Sequence, residues 1–327
     1  MVQSANRISR PLDRILALEA VRVTEAAAIR AARLVGRGDE HAADQAAVEG
    51  MRWAFNLLPI EGVVVIGEGE RDEAPMLYIG ELVGSGGIKV DIALDPLEGT
   101  TLTAKGLPNA LAVMAMAEAG SLLNAPDVYM DKIAIGPGYK EGVIDLDAEP
   151  AENILALAKA KGEKPERIRA LVLDRPRHEK IISSIRSVGA SVQLITDGDV
   201  AGVIATTDPN ATGIDIYIGQ GGAPEGVLAA SALRCVGGQL QTRLVFRNDN
   251  ERQRADRLGI RDLHKKYMLK DLASGDVVFA ATGVTTGTML EGVKIEGAYV
   301  TTHSIVMRSA TKTVRWIKMR HPHGDGV

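Results

Sequence analysis

Two carboxylates stand three residues apart around a proline in the stretch 91–101, DIALDPLEGTT. An apolar strand runs into Asp95, Pro96 ends its hydrogen-bond ladder, and Glu98 precedes a glycine that frees the backbone to turn. The two carboxylates can therefore converge on one point. That arrangement suits Mg²⁺ or Mn²⁺ because these hard cations take oxygen ligands. Thr100 adds a hydroxyl that could orient a water molecule. The alternative is an ordinary Pro-Gly turn whose acids face solvent.

A second acidic turn lies upstream of the first. The β-branched run VVVI at 63–66 predicts a buried strand, and the loop after it is crowded with the acids Glu68, Glu70, Asp72 and Glu73. Crowded acids repel one another unless they are solvated or neutralised by a cation, so a solvated loop and a metal site both stay open. The loop also resembles the start of a dinucleotide-binding motif. Asp72 stands where its third glycine is required, and the acids would repel a pyrophosphate, so dinucleotide binding is excluded.

Polar groups end three successive predicted strands in the second half of the chain. Arg175 and Arg177 flank a proline after the strand 170–173, where α/β proteins place ligands, and guanidinium groups bind phosphate oxygens bidentately. The next strand ends in DGD at 197–199, which suits sugar hydroxyls. The third ends in GQGGAPE at 219–225, whose backbone can approach a ligand closely. The alternative to a ligand site is that the arginines lie on the surface and the acids cap helices.

Composition limits the class of protein. The chain has 327 residues, of which 46% are hydrophobic and 24% charged, as is typical of a soluble globular protein. A formal net charge of −4 argues against non-specific nucleic-acid binding, which needs a basic surface. No segment approaches the roughly 20 apolar residues of a membrane span, and the acids within residues 1–40 exclude a transit peptide. The one cysteine, Cys235, cannot form an internal disulfide, so we expect a reducing, cytoplasmic location.

The order of predicted elements indicates an α/β protein with two lobes. Long helices are expected over 12–35 and 42–58, before the acidic turns. Past residue 145 helices and strands alternate, which predicts a sheet buried between helices. We therefore expect an N-terminal lobe over 1–150 and a C-terminal α/β lobe over 151–327, with the last strands free to return to the first lobe. The segment 248–270 is expected to form a charged, exposed helix.

The string DPLEGT at 95–100 resembles the D-P-[ILV]-[DE]-G-[TS] signature of the lithium-sensitive sugar and inositol phosphatase superfamily. Longer strings resemble one branch of it, the class II (GlpX-type) fructose-1,6-bisphosphatases. They are VVIGEGE at 64–70, APMLYIGE at 74–81, NAPD at 124–127, RPRH at 175–178, DGDV at 197–200 and GAPEG at 222–226. The likeness extends from about residue 19 to about residue 315, with the motifs in the same order.

The resemblance implies a layered α-β-α-β-α sugar phosphatase fold, with most metal ligands in the first lobe and most sugar-phosphate contacts in the second. It implies release of phosphate from carbon 1 of fructose 1,6-bisphosphate, giving fructose 6-phosphate, with Mn²⁺ or Mg²⁺ as cofactor. The implied metal ligands are Asp44, Glu68, Asp95, Glu98 and Glu225. Asp72 would lie near the metals, and Thr100 would position the attacking water. The implied substrate contacts are Glu98, Gly99, Thr100, Tyr129, Arg175, Pro176, Arg177, Asp197, Gly198, Asp199 and Gly222.

Family likeness further implies a homodimer or homotetramer and a role in gluconeogenesis or in pentose- or Calvin-type sugar metabolism. It also allows sedoheptulose 1,7-bisphosphate as a second substrate.

Three positions depart from the pattern of these relatives. They commonly read R-G-D-K where this chain has RGDE at 37–40, so Glu40 reverses a charge. If that lysine assists catalysis or phosphate binding, the reversal would lower activity or shift the metal dependence. Arg175 stands where some relatives carry lysine, and Gln220 replaces a usual aliphatic residue.

Two alternative functions stay open: a non-catalytic sugar-phosphate binder, motivated by Glu40, and an inositol-type monophosphatase. The paired arginines indicate a site for a second phosphate, which favours a bisphosphatase over the monophosphatase.

Overall fold

The computed structural model describes residues 12, 14–69 and 75–322. Its helices are α1 (Arg14–Ala32), α2 (Glu40–Phe55), α3 (Thr100–Lys105), α4 (Pro150–Lys161), α5 (Glu179–Ser187), α6 (Asp199–Ala205), α7 (Pro209–Thr212), α8 (Ala223–Val236), α9 (Asp249–Arg257) and α10 (Leu269–Leu272). Its strands are β1 (Ile60–Ile66), β2 (Leu82–Val83), β3 (Ile88–Glu98), β4 (Leu111–Glu118), β5 (Tyr129–Ile135), β6 (Arg169–Leu173), β7 (Ser191–Ile195), β8 (Ile216–Gly222), β9 (Gln239–Val245), β10 (Tyr267–Met268), β11 (Val277–Gly283), β12 (Lys294–Glu296), β13 (Tyr299–Arg308) and β14 (Thr313–Pro322).

The strands form two mixed sheets. The first has the order β12-β13-β11-β4-β3-β1-β2, with β14 added to β13, and the second has the order β10-β9-β5-β8-β6-β7. Only β1 with β3, β6 with β7 and β6 with β8 are parallel among the described pairs. Each sheet takes strands from distant parts of the chain: β5 belongs to the second sheet, and β11 to β14 lie in the first. The lobe boundary near residue 150 remains a prediction.

Strand β4 shows how the layers are stacked. All its residues except the last are buried, because this sheet is covered on both faces. Leu111 and Val113 pack in the cluster that contains α8, whereas Ala112 and Met114 pack with α1 and α2, as the alternation of side chains along a strand requires. A third cluster places α4 and α5 on the outer face of the second sheet. The molecule therefore has the expected α-β-α-β-α layers.

Helix α8 forms the middle layer. It is apolar on nearly all sides and built largely of alanine and other small residues, which is typical of a helix buried between two sheets. Cys235, near its end, is fully buried, and burial raises the pKa of its thiol to about 12. The thiol therefore packs in the core and is a poor nucleophile. Among the described helices, none combines the length and the apolar character needed to span a membrane.

Two parts of the predicted layout were wrong or missing. The helix expected over 248–270 ends at Arg257, because Gly259 has a φ of +82° and turns the chain; loops, β10 and α10 follow. Strands β5 and β9 were not predicted, since polar residues interrupt both apolar runs. They pair along their full length and form the middle of the second sheet.

Candidate active site

A cavity of about 310 Å³ opens where the ends of β1 and β3 meet the first turn of α8. Its polar lining consists of the carboxylates of Asp44, Glu68, Asp95, Glu98, Asp197 and Glu225, together with Gly99 and Thr100. The structure thus brings all five expected metal ligands to one place, from parts of the chain nearly two hundred residues apart. Asp72 lies outside the described residues.

Parallel pairing of β1 with β3 explains why the two acidic turns meet. Ile66 pairs with Ala93, so the carboxyl ends of both strands lie at the same edge of the sheet. Glu68 follows β1 directly, and Asp95 and Glu98 lie at the end of β3. The acids after one strand therefore face those at the end of the other.

The proline within β3 shapes the second acidic turn. The pairing of β3 with β4 shifts register between Asp95 and Glu98, because Pro96 has no N–H to offer the ladder. Asp95 Oδ1 accepts a hydrogen bond of 3.0 Å from the backbone N–H of Leu97, which fixes the carboxylate against its own turn. Gly99, with a φ of +90°, then reverses the chain into α3. Both carboxylates are consequently held at the cavity.

Burial and mutual repulsion raise the pKa values of these acids. Burial, with repulsion from Asp95 and Asp44, raises the pKa of Glu68 to about 8. Burial is also the main cause that raises the pKa of Asp95 to about 6 and that of Glu225 to about 7. The pKa of Glu98 lies well above its ordinary value because of burial and the neighbouring Asp95. A cation in the cavity would relieve this repulsion and favour the ionised carboxylates.

The donor set fits a divalent cation. Oxygen Oε2 of Glu225 is buried and, within the described part of the chain, has no hydrogen-bond partner, which is unfavourable unless another group binds it. A Cβ at Gly222 would lie only 1.9 Å from that oxygen, so the glycine leaves room for the carboxylate. Carboxylate oxygens are the ligands that Mg²⁺ and Mn²⁺ prefer. As they are placed, no three or more acidic, histidine or cysteine side chains among the described residues are grouped closely enough to hold a metal ion, and these acids line the cavity walls instead.

Glu40, at the start of α2, lies near this cavity. Asp39 caps α2 by accepting the backbone N–H of Ala42 at 2.9 Å, and Glu40 is the exposed first residue of the helix. The pKa of Asp197 is raised mainly by burial, and the charge of Glu40 contributes to the rise. Glu40 therefore adds negative potential at the cavity.

Tyr129 lies beside two guanidinium groups. The Cζ atom of Arg177 is 4.9 Å from the centroid of its ring, and that of Arg247 is 4.7 Å away. Nη2 of Arg177 donates to the backbone carbonyl of Gln220 at 2.8 Å. Tyr129 pairs with Gly222, so this basic site adjoins the junction of β8 and α8 at the edge of the acid-lined cavity.

A buried histidine fixes the Arg-Pro-Arg turn at 175–177. His178 is 1% exposed, and its Nε2 accepts the backbone N–H of Gln220 at 2.9 Å, so its Nδ1 carries the proton and donates to the carbonyl of Leu173 at 2.8 Å. Burial lowers the pKa of this imidazole, which keeps it neutral. The side chain of Gln220 donates to Asp131 at 2.9 Å. The unusual glutamine thus ties β8 to β5 beside the arginines.

The acidic turn after β7 carries the remaining expected contacts. Asp197 lines the cavity, and Gly198, with a φ of +86°, is the N-cap residue before α6. Asp199 is 6% exposed and accepts a 2.5 Å hydrogen bond from Nζ of Lys132, which is itself 1% exposed. Sequence reasoning missed Lys132. Its place beside the apolar residues Ile133, Ala134 and Ile135 was the available indication, because a lysine is almost never buried without a partner.

Comparisons with known proteins point to one family over most of the chain. Residues 14–321 match the family model described as bacterial fructose-1,6-bisphosphatase, glpX-encoded. The chain is 44% identical over 325 residues to a fructose-1,6-bisphosphatase class 2 of Haemophilus influenzae, with 95% of this chain and 97% of the relative covered. It is 45% identical over 326 residues to fructose-1,6-bisphosphatase 1 class 2 of Escherichia coli K12, with 95% and 96% covered. The chain therefore belongs to the glpX-encoded family of bacterial fructose-1,6-bisphosphatases.

Proposed function

We propose that this chain is a divalent-metal-dependent phosphatase that converts fructose 1,6-bisphosphate to fructose 6-phosphate and inorganic phosphate. Family membership supports this reaction. One observation carries it: Tyr129 pairs directly with Gly222, three residues before Glu225. One pair of strands thus connects the guanidinium groups beside Tyr129 to the acid-lined cavity. A doubly phosphorylated sugar requires such an arrangement, with one site for each phosphate.

The basic end would bind the phosphate that does not react. Arg175 and Arg177 suit this role because a guanidinium fork pairs with two phosphate oxygens. Asp197 and Asp199, on either side of Gly198, would accept hydrogen bonds from sugar hydroxyls. In this scheme Lys132 keeps the carboxylate of Asp199 in place.

The acidic end would carry the chemistry. The residues that would hold Mn²⁺ or Mg²⁺ are Asp44, Glu68, Asp95, Glu98 and Glu225. When bound, such a cation supplies charge neutralisation for the phosphoryl oxygens and the leaving oxygen. The hydroxyl of Thr100, at the first position of α3, would orient the water that attacks phosphorus. Gly99 would bring the backbone close to the reacting phosphate.

Phosphate release tests the proposal directly. We expect release from fructose 1,6-bisphosphate only with Mn²⁺ or Mg²⁺, and sedoheptulose 1,7-bisphosphate belongs in the same assay as the second proposed substrate. Asp95→Asn should abolish turnover, because a neutral amide is a poor ligand for a hard cation. Near-wild-type release by that variant would contradict the metal assignment. Substrate binding by the wild type without release would favour the non-catalytic sugar-phosphate binder.

A second variant separates bisphosphatase from monophosphatase. Arg177→Ala should weaken binding of the bisphosphate far more than binding of a sugar monophosphate esterified at the reacting position. Only the bisphosphate has a phosphate at the basic end. Equal losses on both substrates would favour the inositol-type monophosphatase.

We also propose a cytoplasmic homodimer or homotetramer that serves sugar metabolism. Family likeness supports the assembly, and the single, buried Cys235 is compatible with a reducing compartment. Light scattering of the purified chain gives the number of subunits.

A further inference from the structure

Arg247 occupies a position that the expected substrate contacts do not include. Its guanidinium lies 4.7 Å from the Tyr129 ring centroid, and the guanidinium of Arg177 lies 4.9 Å from the same centroid. Cation–π contact stabilises each group singly. Two positive charges beside one ring also repel each other, and a bound phosphate dianion would attract both and outweigh that repulsion.

The two arginines reach Tyr129 from opposite neighbours in the sheet. Strand β5 lies between β8 and β9, and Tyr129 pairs with Gly222 on one side and Val245 on the other. Arg177 is bonded to Gln220 on β8. Arg247 follows the end of β9 by two residues. The guanidinium groups are therefore placed on both flanks of the strand end that adjoins the acid-lined cavity.

Glu251 of α9 holds Arg247 in this position. Its Oε1 accepts Nε of Arg247 at 2.7 Å and lies 2.6 Å from Nη2, while its Oε2 accepts the backbone N–H of the same arginine at 2.7 Å. Glu251 is 5% exposed, so the anchoring carboxylate is buried. The side chain of Arg247 is 58% exposed. A solute can therefore reach a guanidinium whose orientation is already fixed, which lowers the entropy cost of binding.

We propose that Arg247 is a specificity-determining residue that completes the site for the non-reacting phosphate, opposite Arg177 across Tyr129. The inference rests on the proposed function, since it assigns the ligand of this basic site as the phosphate monoester at the far end of the sugar. Arg177 binds that phosphate from the β8 side, and Arg247 binds it from the β9 side.

The test uses fructose 6-phosphate, which carries only the non-reacting phosphate, so binding can be measured without turnover. Calorimetry on the metal-free protein gives its Kd for the wild type, Arg247→Met, Arg247→Lys and a control, Arg252→Met. Arg252 lies on α9 and pairs with Asp249 on the surface at 3.0 Å. Circular dichroism and thermal melting identify any variant that has not folded.

We expect Arg247→Met to raise the Kd by about 10- to 100-fold, the loss of one charge-assisted hydrogen bond to phosphate. Arg247→Lys, which keeps the charge but not the planar fork, should lie between it and the wild type, and Arg252→Met should match the wild type. With fructose 1,6-bisphosphate, Arg247→Met should raise KM by a similar factor and change kcat less than twofold.

A folded Arg247→Met variant whose Kd stays within twofold of the wild type would overturn the inference, as would a wild type that does not bind fructose 6-phosphate. Failure of the proposed function has a different signature, namely no phosphate release by the wild type with Mn²⁺ or Mg²⁺. In that case the Kd values still decide whether Arg247 binds phosphate.

Discussion

Lys132 is a buried positive charge that offsets the negative charge of the acidic site. Its Nζ lies 2.5 Å from Oδ2 of Asp199, and the two side chains are 1% and 6% exposed. The charge of Asp199 raises the pKa values of Glu98 and Glu225, whereas that of Lys132 lowers the pKa of Glu225. Lys132 thus balances negative charge at the point where the acids are most crowded.

Lys132→Met keeps the aliphatic stem, removes the charge and leaves Asp199 buried without its cation. Breaking a buried ion pair on one side costs about 3–5 kcal/mol, so the free energy of unfolding should fall by that amount. Adding Asp199→Asn removes the stranded charge and should restore at least half of the loss. The matched control is Lys89→Met, because Lys89 and Glu61 form an exposed pair at 3.6 Å and exposed pairs contribute little.

Urea denaturation of the metal-free proteins at neutral pH measures these differences. The prediction requires a large loss in the single variant, a partial recovery in the double variant and no significant loss in the control. A Lys132→Met protein within about 1 kcal/mol of the wild type, the upper end for an exposed pair, would refute the reasoning. A double variant no more stable than the single one would show that the loss comes from packing rather than from the uncompensated charge of Asp199.

Three further predictions concern the acid-lined cavity. The folded pKa of Glu68, about 8, exceeds its ordinary value of 4.5. Metal-free protein should therefore lose stability as pH rises from 4.5 to 8, by at most about 1.4 kcal/mol per pH unit from this group. Urea titrations should show a flatter profile for Glu68→Gln, and an unchanged slope would contradict the assignment. Thr100→Val, nearly isosteric, should lower kcat about 100-fold with little change in KM, if its hydroxyl orients the attacking water; an unchanged kcat removes that role. Gly222→Ala, at a φ of −67° that alanine adopts freely, should displace the Glu225 carboxylate and weaken Mn²⁺ binding measured by calorimetry; an unchanged Kd would show that Glu225 is no ligand.

Local sequence patterns place three of the cavity acids, because these follow or end strands with strong apolar patterns, whereas Asp44 and Glu225 lie on helices and were expected from the family resemblance. Asp95 and Glu98 end one such strand, and Glu68 follows another. Their convergence needs only the parallel pairing of β1 with β3, which the rule for carboxyl ends of parallel strands anticipates. Local pattern and tertiary arrangement agree here, as expected where each level of structure supports the same fold.

The basic half depends on pairings that local patterns do not reveal. Tyr129 meets Gly222 and Val245 only because β5 pairs antiparallel with two strands that follow roughly a hundred residues later. Lys132 meets Asp199, the first residue of α6, across a similarly long separation of 67 residues. No local periodicity encodes which distant strands become neighbours, so Arg247 could not be placed beside Tyr129 from the sequence. The return of β11 to β14 to the first sheet has the same origin.

The site unites groups from both sheets, and this explains how so many acids can be held together. Glu98, from the first sheet, accepts the backbone N–H of Val200 in α6 at 3.1 Å, which links it to the layer beside the second sheet. Glu225 lies at the start of α8, a helix fixed by apolar packing on nearly all sides. Burial and mutual repulsion raise the pKa values of Glu68 and Glu225, which favours their protonated forms when no cation is bound. Protons and divalent cations therefore compete for the same oxygens, so metal binding should release protons. Calorimetry in buffers of different ionisation enthalpy measures that release directly.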